Sequence, residues 1–324
     1  MELGEGIRSI IEACAAVKPG ERVLVIAEND SDSVFKGQAF LDVINSMGAE
    51  AVLTVIAAAE TTGKEPPALV ASAMKSVNVI FCVANKAGVS HTTARQEALA
   101  AGARYYGVYQ TSVEELQMGV SRADVQLIRE RTEKLARNLG HANRARVTTR
   151  LGTDVAFSLA ERQGVAVHPL CSVEPGSVCV LPDYAEAAIA PVEGTAEGTI
   201  VVDLAIRLWG YLLKEPLCYK VHEGRVVDIS GASQDAEALR KIASTDDGAS
   251  NIGELGIGTS HIIPGSMQGK ARDFGRLGTA HIGLGRNNDV GGRTWSQIHV
   301  DGLLNRPTIE LDGECVMKEG VLSI

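Results

Sequence analysis

The residues of this chain best able to do chemistry crowd toward its C-terminal end. Within the 51 residues from Asn251 to Asp301 lie three histidines (His261, His281, His299) and four acids (Glu254, Asp273, Asp289, Asp301). The stretch "SQIHVDGLL", Ser296 to Leu304, sets His299 and Asp301 two residues apart in an apolar run. In a strand, side chains at i and i+2 share a face, so imidazole and carboxylate would project together from a rigid backbone. "IGELGIGTS" places Glu254, and "GTAHIGLG" places His281, in comparable glycine-flanked apolar runs. An ionised carboxylate buried in such a run is costly unless it is paired or bound to a metal. Imidazole nitrogen with carboxylate oxygen suits zinc, iron, manganese or cobalt, and the absence of nearby cysteine argues against a structural thiolate zinc site. A divalent ion so held can generate hydroxide, polarise a carbonyl, or keep a chelating substrate beside dioxygen. Spacing alone equally allows buried histidines satisfied by hydrogen bonds.

Other catalytic patterns are absent or bare. There is no G-x-S-x-G elbow, Ser266 in "PGSMQG" and Ser177 in "EPGSVC" lack that context, and neither H-E-x-x-H nor a Walker A loop occurs. Cys171 and Cys179, with His168 near in sequence, read as core thiols rather than nucleophiles. His261 is a candidate acid or base, with a loop histidine of no role as the alternative.

The elements that must position these residues follow from periodicity. "RVLVIA", "AVLTVIA", "VNVIFCVA" and "RYYGVY" are strand-length and rich in β-branched or aromatic residues. The stretches "SVFKGQAFLDVINSMG" and "SHTTARQEALAAGA" between them have helical spacing and end at glycine. This alternation predicts an α/β fold whose N-terminal Rossmann-like domain, residues 1–145, holds a parallel sheet covered by helices. The first strand runs into "ENDSDS", acidic and free of glycine, which excludes a dinucleotide fingerprint there. "SRADVQLIRERTEKLARNLGHANRARV" reads as one charged helix. Beyond it short β-like segments take over, with hairpin signals at Glu223-Gly224 and Asp312-Gly313. Residues 146–324 are therefore expected to form a mixed α+β metal-binding catalytic domain.

At 324 residues two domains are the better expectation. With 45% apolar and 22% charged residues the chain is of ordinary globular composition, and a net charge of -9 without basic runs argues against nucleic acid or an anionic membrane as partner. A small molecule is the expected ligand. The six cysteines show no C-x-x-C spacing and are expected as free thiols of a reducing compartment. No signal-peptide pattern opens the chain and no apolar run reaches roughly 18 residues, so a cytoplasmic location is expected.

The ordered series "EGTAEGTIVVD", "GRVVDISG", "DDGASNIGELGIGTS", "GTAHIGLG" and "SQIHVDGLL", ending in a "LDGE....EG" tail, resembles the thermophilic metallo-aminopeptidases of the aminopeptidase T and S type. "NNDVGGRTWSQIHVDGLL" also resembles their relatives, the 2,5-dihydroxypyridine 5,6-dioxygenases. The resemblance covers most of residues 147–324. It implies that Glu254, His281, His299 and Asp301 are metal ligands, as their counterparts are in a two-metal aminopeptidase centre, and it implies a homodimer. Two departures stand out. The aminopeptidases supply a further glutamate ligand in a stretch ahead of a Pro-Asp, where this chain aligns Ser177, and a tyrosine seven residues beyond the strand histidine is replaced by Asn288. The dioxygenases are similar but hold a single iron through a histidine at the position of Glu254 together with the H-x-D pair.

The leading expectation is a metal-dependent, aminopeptidase-like hydrolase of a small amide or cyclic amide. One divalent transition metal per chain is expected because of Ser177, with two as the alternative. Asp183, in "LPDY", is the candidate base, and Arg293 is a candidate partner for a substrate carboxylate. The rival readings are a mononuclear Fe(II) ring-cleaving dioxygenase and a non-catalytic small-molecule binding protein.

Overall fold

A computed structural model describes residues 1–59, 62–170, 175–207 and 209–324. The chain forms two compact units, each discontinuous in sequence: residues 1–129 with 167–184, and residues 130–166 with 185–324. Sequence pattern alone predicts a single boundary after residue 145.

In the first unit the four predicted apolar runs are strands of a parallel five-stranded sheet. Its order is Glu50–Ile56, Arg22–Glu28, Val79–Ala84, Arg104–Tyr109, Val178–Leu181. Val79–Ala84 and Arg104–Tyr109 are buried along their whole length, as parallel strands covered on both faces must be. The helix Ser31–Ser46 starts where the Asp30 carboxylate accepts the Ser33 N–H and so satisfies one of the free donors of its first turn. The core of this unit joins Val23, Val25, Phe40, Phe81, Val83 and Tyr106.

The second unit is built on two further sheets with antiparallel pairing. The larger has eight strands, in the order Arg225–Ser230, Leu217–His222, Glu197–Val202, Asp154–Ser158, Arg144–Thr148, Thr308–Leu311, Glu314–Lys318, Val321–Leu322. The smaller has six, in the order Ala205–Ile206, His299–Asn305, Thr279–Gly285, Ile252–Gly258, Glu186–Ile189, Val165–Val167. Both expected hairpins form as two-residue loops. Glu223 and Gly224, and Asp312 and Gly313, all take positive φ, the conformation that matches the twist of the flanking strands. The core packs Ile189, Leu255, Ile257, Ile282, Leu284, Val300 and Leu304 of the smaller sheet with Val155, Phe157, Ile200 and Val202 of the larger.

Cys14, Cys82, Cys218 and Cys315 are free thiols, as expected. Cys179 is not; it is disulfide-bonded, which removes it as a nucleophile, and Cys171 lies outside the described residues. Among the described residues no helix is long and apolar enough to cross a membrane.

Candidate metal centre

Pairing in the six-stranded sheet decides which side chains meet. Gly283 pairs with Glu254 on one side and Asp301 on the other, His281 lies opposite Gly256, and His299 lies opposite Gly285. Opposed residues share a face, so Glu254, His281, His299 and Asp301 all project from one side of three adjacent strands. The intervening residues Leu255, Ile257, Ala280, Ile282, Leu284, Val300 and Leu304 point the other way, into the core. A bulge at Gly253 keeps Ile252 on the core side while Glu254 turns to the site. The glycines opposite the polar residues make the arrangement possible. A Cβ at Gly256 would lie 2.0 Å from His281 Nε2, and one at Gly283 would lie 2.9 Å from both Asp301 Oδ1 and Glu254 Cβ. Only glycine leaves room for these side chains to lie across the sheet.

On the fourth strand Glu186 pairs with Gly258, two places along the same face, and joins the group. His281 Nε2 is 3.0 Å from Glu186 Oε2 and 3.8 Å from Glu254 Oε1. His299 Nε2 is 3.0 Å from Glu254 Oε2 and 3.0 Å from Asp301 Oδ1. The result is two groups of one imidazole and two carboxylates, Glu186–Glu254–His281 and Glu254–His299–Asp301, with Glu254 common to both. All five residues are buried.

Charge is balanced locally. Burial alone would raise the Glu254 carboxyl, but hydrogen bonds from His281 and His299 outweigh it and hold it at about 2. For Asp301 the same opposition holds; the positive His299 ring outweighs burial and keeps the carboxyl far below its usual range. Burial would lower His281, yet hydrogen bonds to Glu186 and Glu254 push it up to about 10. The His299 imidazole is likewise raised against burial, by Asp301 and then Glu254. Three carboxylates facing two imidazoles favour the protonated rings, and the Arg207 guanidinium adds to the lowering of Asp301.

The donor set fits divalent metal. His299 Nδ1–H donates to the Arg286 carbonyl at 2.7 Å, which fixes the ring and turns Nε2 toward the carboxylates, the usual orientation device of a ligating histidine. Asp301 Oδ1 is buried with no hydrogen bond of acceptable geometry, although Nε2 is 3.0 Å away. An acceptor left facing a ring nitrogen in this way is what a cation between them would satisfy. Nitrogen and carboxylate oxygen in this ratio, without thiolate, suit zinc, manganese, cobalt or iron.

The structure therefore brings together Glu254, His281, His299 and Asp301 and adds Glu186, which the sequence reading missed. The resemblance places the further carboxylate ahead of Pro182-Asp183, at Ser177. Ser177 instead lies in the first unit, where its carbonyl accepts the Tyr105 N–H at 2.8 Å. The carboxylate comes three residues after Asp183, in "AEAAIA", where Glu186 carries the same signal as Glu254, an acid inside a buried apolar strand. Glu186 supplies, beside His281, a carboxylate of the kind the expectation of one metal counted as missing. Arg207 was also missed; its Nη1 is 3.6 Å from Asp301 Oδ2.

The remaining candidates are not members of the two groups. Asp183 is a buried residue of the first unit whose charge, after burial itself, raises the Cys14 thiol. His261 is exposed, with Nδ1 3.2 Å from Arg131 Nη1. Arg293 is exposed and lines an open pocket of about 470 Å³ with Glu161, Arg162, Val192 and Glu193.

A two-sheet unit carrying a shared-carboxylate, metal-type cluster, joined to a parallel-sheet unit, defines the class of protein. Within that class the chain belongs to the NicX family, 2,5-dihydroxypyridine 5,6-dioxygenase, whose model matches residues 3–324. Among solved structures it is similar to the 2,5-dihydroxypyridine dioxygenase from Pseudomonas putida KT2440, at 19% identity and a TM-score of 0.81, over 99% of this chain and 96% of that one. It is also similar to wild-type AmpT from Thermus thermophilus, at 17% identity and a TM-score of 0.69, over 100% and 99% of the two chains. No curated protein matches it.

Proposed function

We propose that this chain is a metal-dependent hydrolase of amide-type bonds in small substrates, and that it holds two divalent transition-metal ions. Glu254 carries the reading. Its two oxygens face different histidines, Oε1 toward His281 and Oε2 toward His299, so one carboxylate spans two ligand groups that each add a second acid, Glu186 or Asp301. When bound, a metal pair supplies Lewis-acid polarisation of a carbonyl and a water of lowered pKa. The chain does the rest by positioning. The Arg286 carbonyl holds the His299 ring in one tautomer, the strand pairing fixes the spacing of the acids, and the apolar face behind them keeps the sheet rigid. Asp183 is given no step in this reading.

Family membership favours a second reading, ring cleavage by a mononuclear iron dioxygenase. Against it stands the composition of each ligand group. The common iron(II) oxygenase site has two histidines and one carboxylate; here each group has one histidine and two carboxylates. The test is turnover of a panel of aminoacyl amides, cyclic amides and hydroxypyridines by the zinc-, manganese-, cobalt- or iron-loaded protein, in air and under strict anaerobiosis. Amide cleavage at the same rate without oxygen is expected. Stoichiometric oxygen uptake with a hydroxypyridine, on iron alone, would replace the hydrolase reading with the dioxygenase one. Metal analysis finding no bound ion would favour the binding protein.

A further inference from the structure

We propose that Arg207 is a positioning residue for the metal centre. It holds Asp301 so that Oδ1 alone is presented to the ligand group, and Phe274 packs between its guanidinium and the His281 ring. The inference rests on the reading of the cluster as a metal site.

Arg207 grips Asp301 twice. Its backbone N–H donates to the Asp301 carbonyl at 2.9 Å, continuing the pairing of Ala205 with Leu303 and Ile206 with Gly302. Its guanidinium Nη1 is 3.6 Å from Asp301 Oδ2, the oxygen opposite the one that faces His299. Both side chains are nearly removed from solvent, at 10% and 3% exposure, so water screens the pair little. The guanidinium also lies over the Phe274 ring, 5.7 Å from its centroid, and Phe274 meets the His281 ring edge-on at 5.6 Å. One cation thus touches a carboxylate of one ligand group and, through a single aromatic ring, borders the imidazole of the other. A planar, permanently charged fork that stacks on an aromatic face is what arginine offers and lysine does not. With Oδ2 beside the Arg207 guanidinium, Oδ1 is the oxygen that faces the ligand group.

The test uses the full chain, freed of metal by chelation and titrated with cobalt(II), whose visible absorption reports each equivalent as it binds. Removing a partner that orients a ligand costs about 10–100-fold in metal affinity. Arg207→Gln is expected to weaken one of the two equivalents by that factor, the one lost also in His299→Ala, and to leave the other within a few-fold. Arg207→Lys should recover part of the loss, because charge returns without the stacked fork. Phe274→Leu should weaken the His281 equivalent and alter its cobalt spectrum. The melting temperature of the metal-free protein is measured for each variant, to separate loss of ligand orientation from loss of fold. If wild-type protein binds two equivalents and Arg207→Gln binds both as tightly, the positioning role is wrong while the metal centre stands. Arg207→Gln and Arg207→Lys losing both equivalents along with the metal-free melting transition would overturn it equally, by making Arg207 a fold residue. Wild-type protein that binds no cobalt sinks the metal reading itself.

Discussion

Gly256→Ala puts a single methyl group into the most crowded point of the centre. The substituted Cβ would sit 2.0 Å from His281 Nε2 and 2.3 Å from Cε1. Ordinary contact begins at 3.4 Å, so the ring must retreat by about 1.4 Å, nearly three times the roughly 0.5 Å tolerance of a working site. Gly256 is extended and needs no left-handed backbone, so the perturbation is steric and confined to the site face. Across the strands Gly256 is paired with His281 on one side and the small Ala188 on the other, and Leu255 and Ile257, which pack in the core, point to the opposite face. Overpacking of this kind costs about 1–3 kcal/mol. At roughly 2–4 °C per kcal/mol for a unit of 150–250 residues, the melting temperature should drop by roughly 2–12 °C with folding retained. Displacing His281 removes it from Glu186 and Glu254, so the variant should lose one metal equivalent and most activity. The assay is metal content by elemental analysis beside circular dichroism melts. A folded Gly256→Ala protein with unchanged metal content would refute the placement of His281 over this glycine.

Glu254→Gln should lose both equivalents, because Glu254 is the shared carboxylate, whereas His299→Ala should lose one; equilibrium dialysis against zinc compares them. Gly283→Ala should damage both groups at once, since its Cβ would lie 2.9 Å from Asp301 Oδ1 and from Glu254 Cβ; two intact equivalents in that variant would contradict the shared face. Glu193 gives a pH dependence away from the ligands. Its carboxylate accepts the Arg293 N–H at 2.7 Å and the Asn287 amide at 3.0 Å and pairs with Arg162, and so ties down the hairpin whose base supplies the Arg286 carbonyl. Burial would raise this carboxyl, but those bonds prevail and hold it below 4.5. A depressed folded pKa contributes stability that is present above the unfolded value of 4.5 and lost as pH falls through the folded one. Glu193→Gln should therefore melt below wild type at pH 6–7, and the gap should close as pH is lowered below 4.5, as followed by calorimetry.

The parts of the fold written in local pattern were legible in the sequence. Four apolar runs announced the parallel sheet, and Glu223-Gly224 and Asp312-Gly313 announced their hairpins. Glu254, His281, His299 and Asp301 could be found because a polar residue every second place in a glycine-rich apolar strand is costly without a partner. Glu186 carries the same signal in "AEAAIA", but it joins the site only through the pairing of its strand with Ile252–Gly258, which nothing local in the sequence marks. Nothing local in "VCVL" says that Val178–Leu181 returns to the parallel sheet, since that choice is made by tertiary pairing with Arg104–Tyr109. Nor does "AIRLWG" mark Arg207. Its partner, Asp301, is set by the pairing of a two-residue strand nearly a hundred residues away in sequence.

The most direct measurement is the metal stoichiometry of the wild-type chain beside Glu186→Ala, both reconstituted from the metal-free state and assayed by elemental analysis. A centre in which Glu186 and His281 complete a second ligand group predicts two equivalents for wild type and one for Glu186→Ala. One equivalent in both proteins would contradict the two-metal centre and return the chain to a mononuclear site at Glu254, His299 and Asp301.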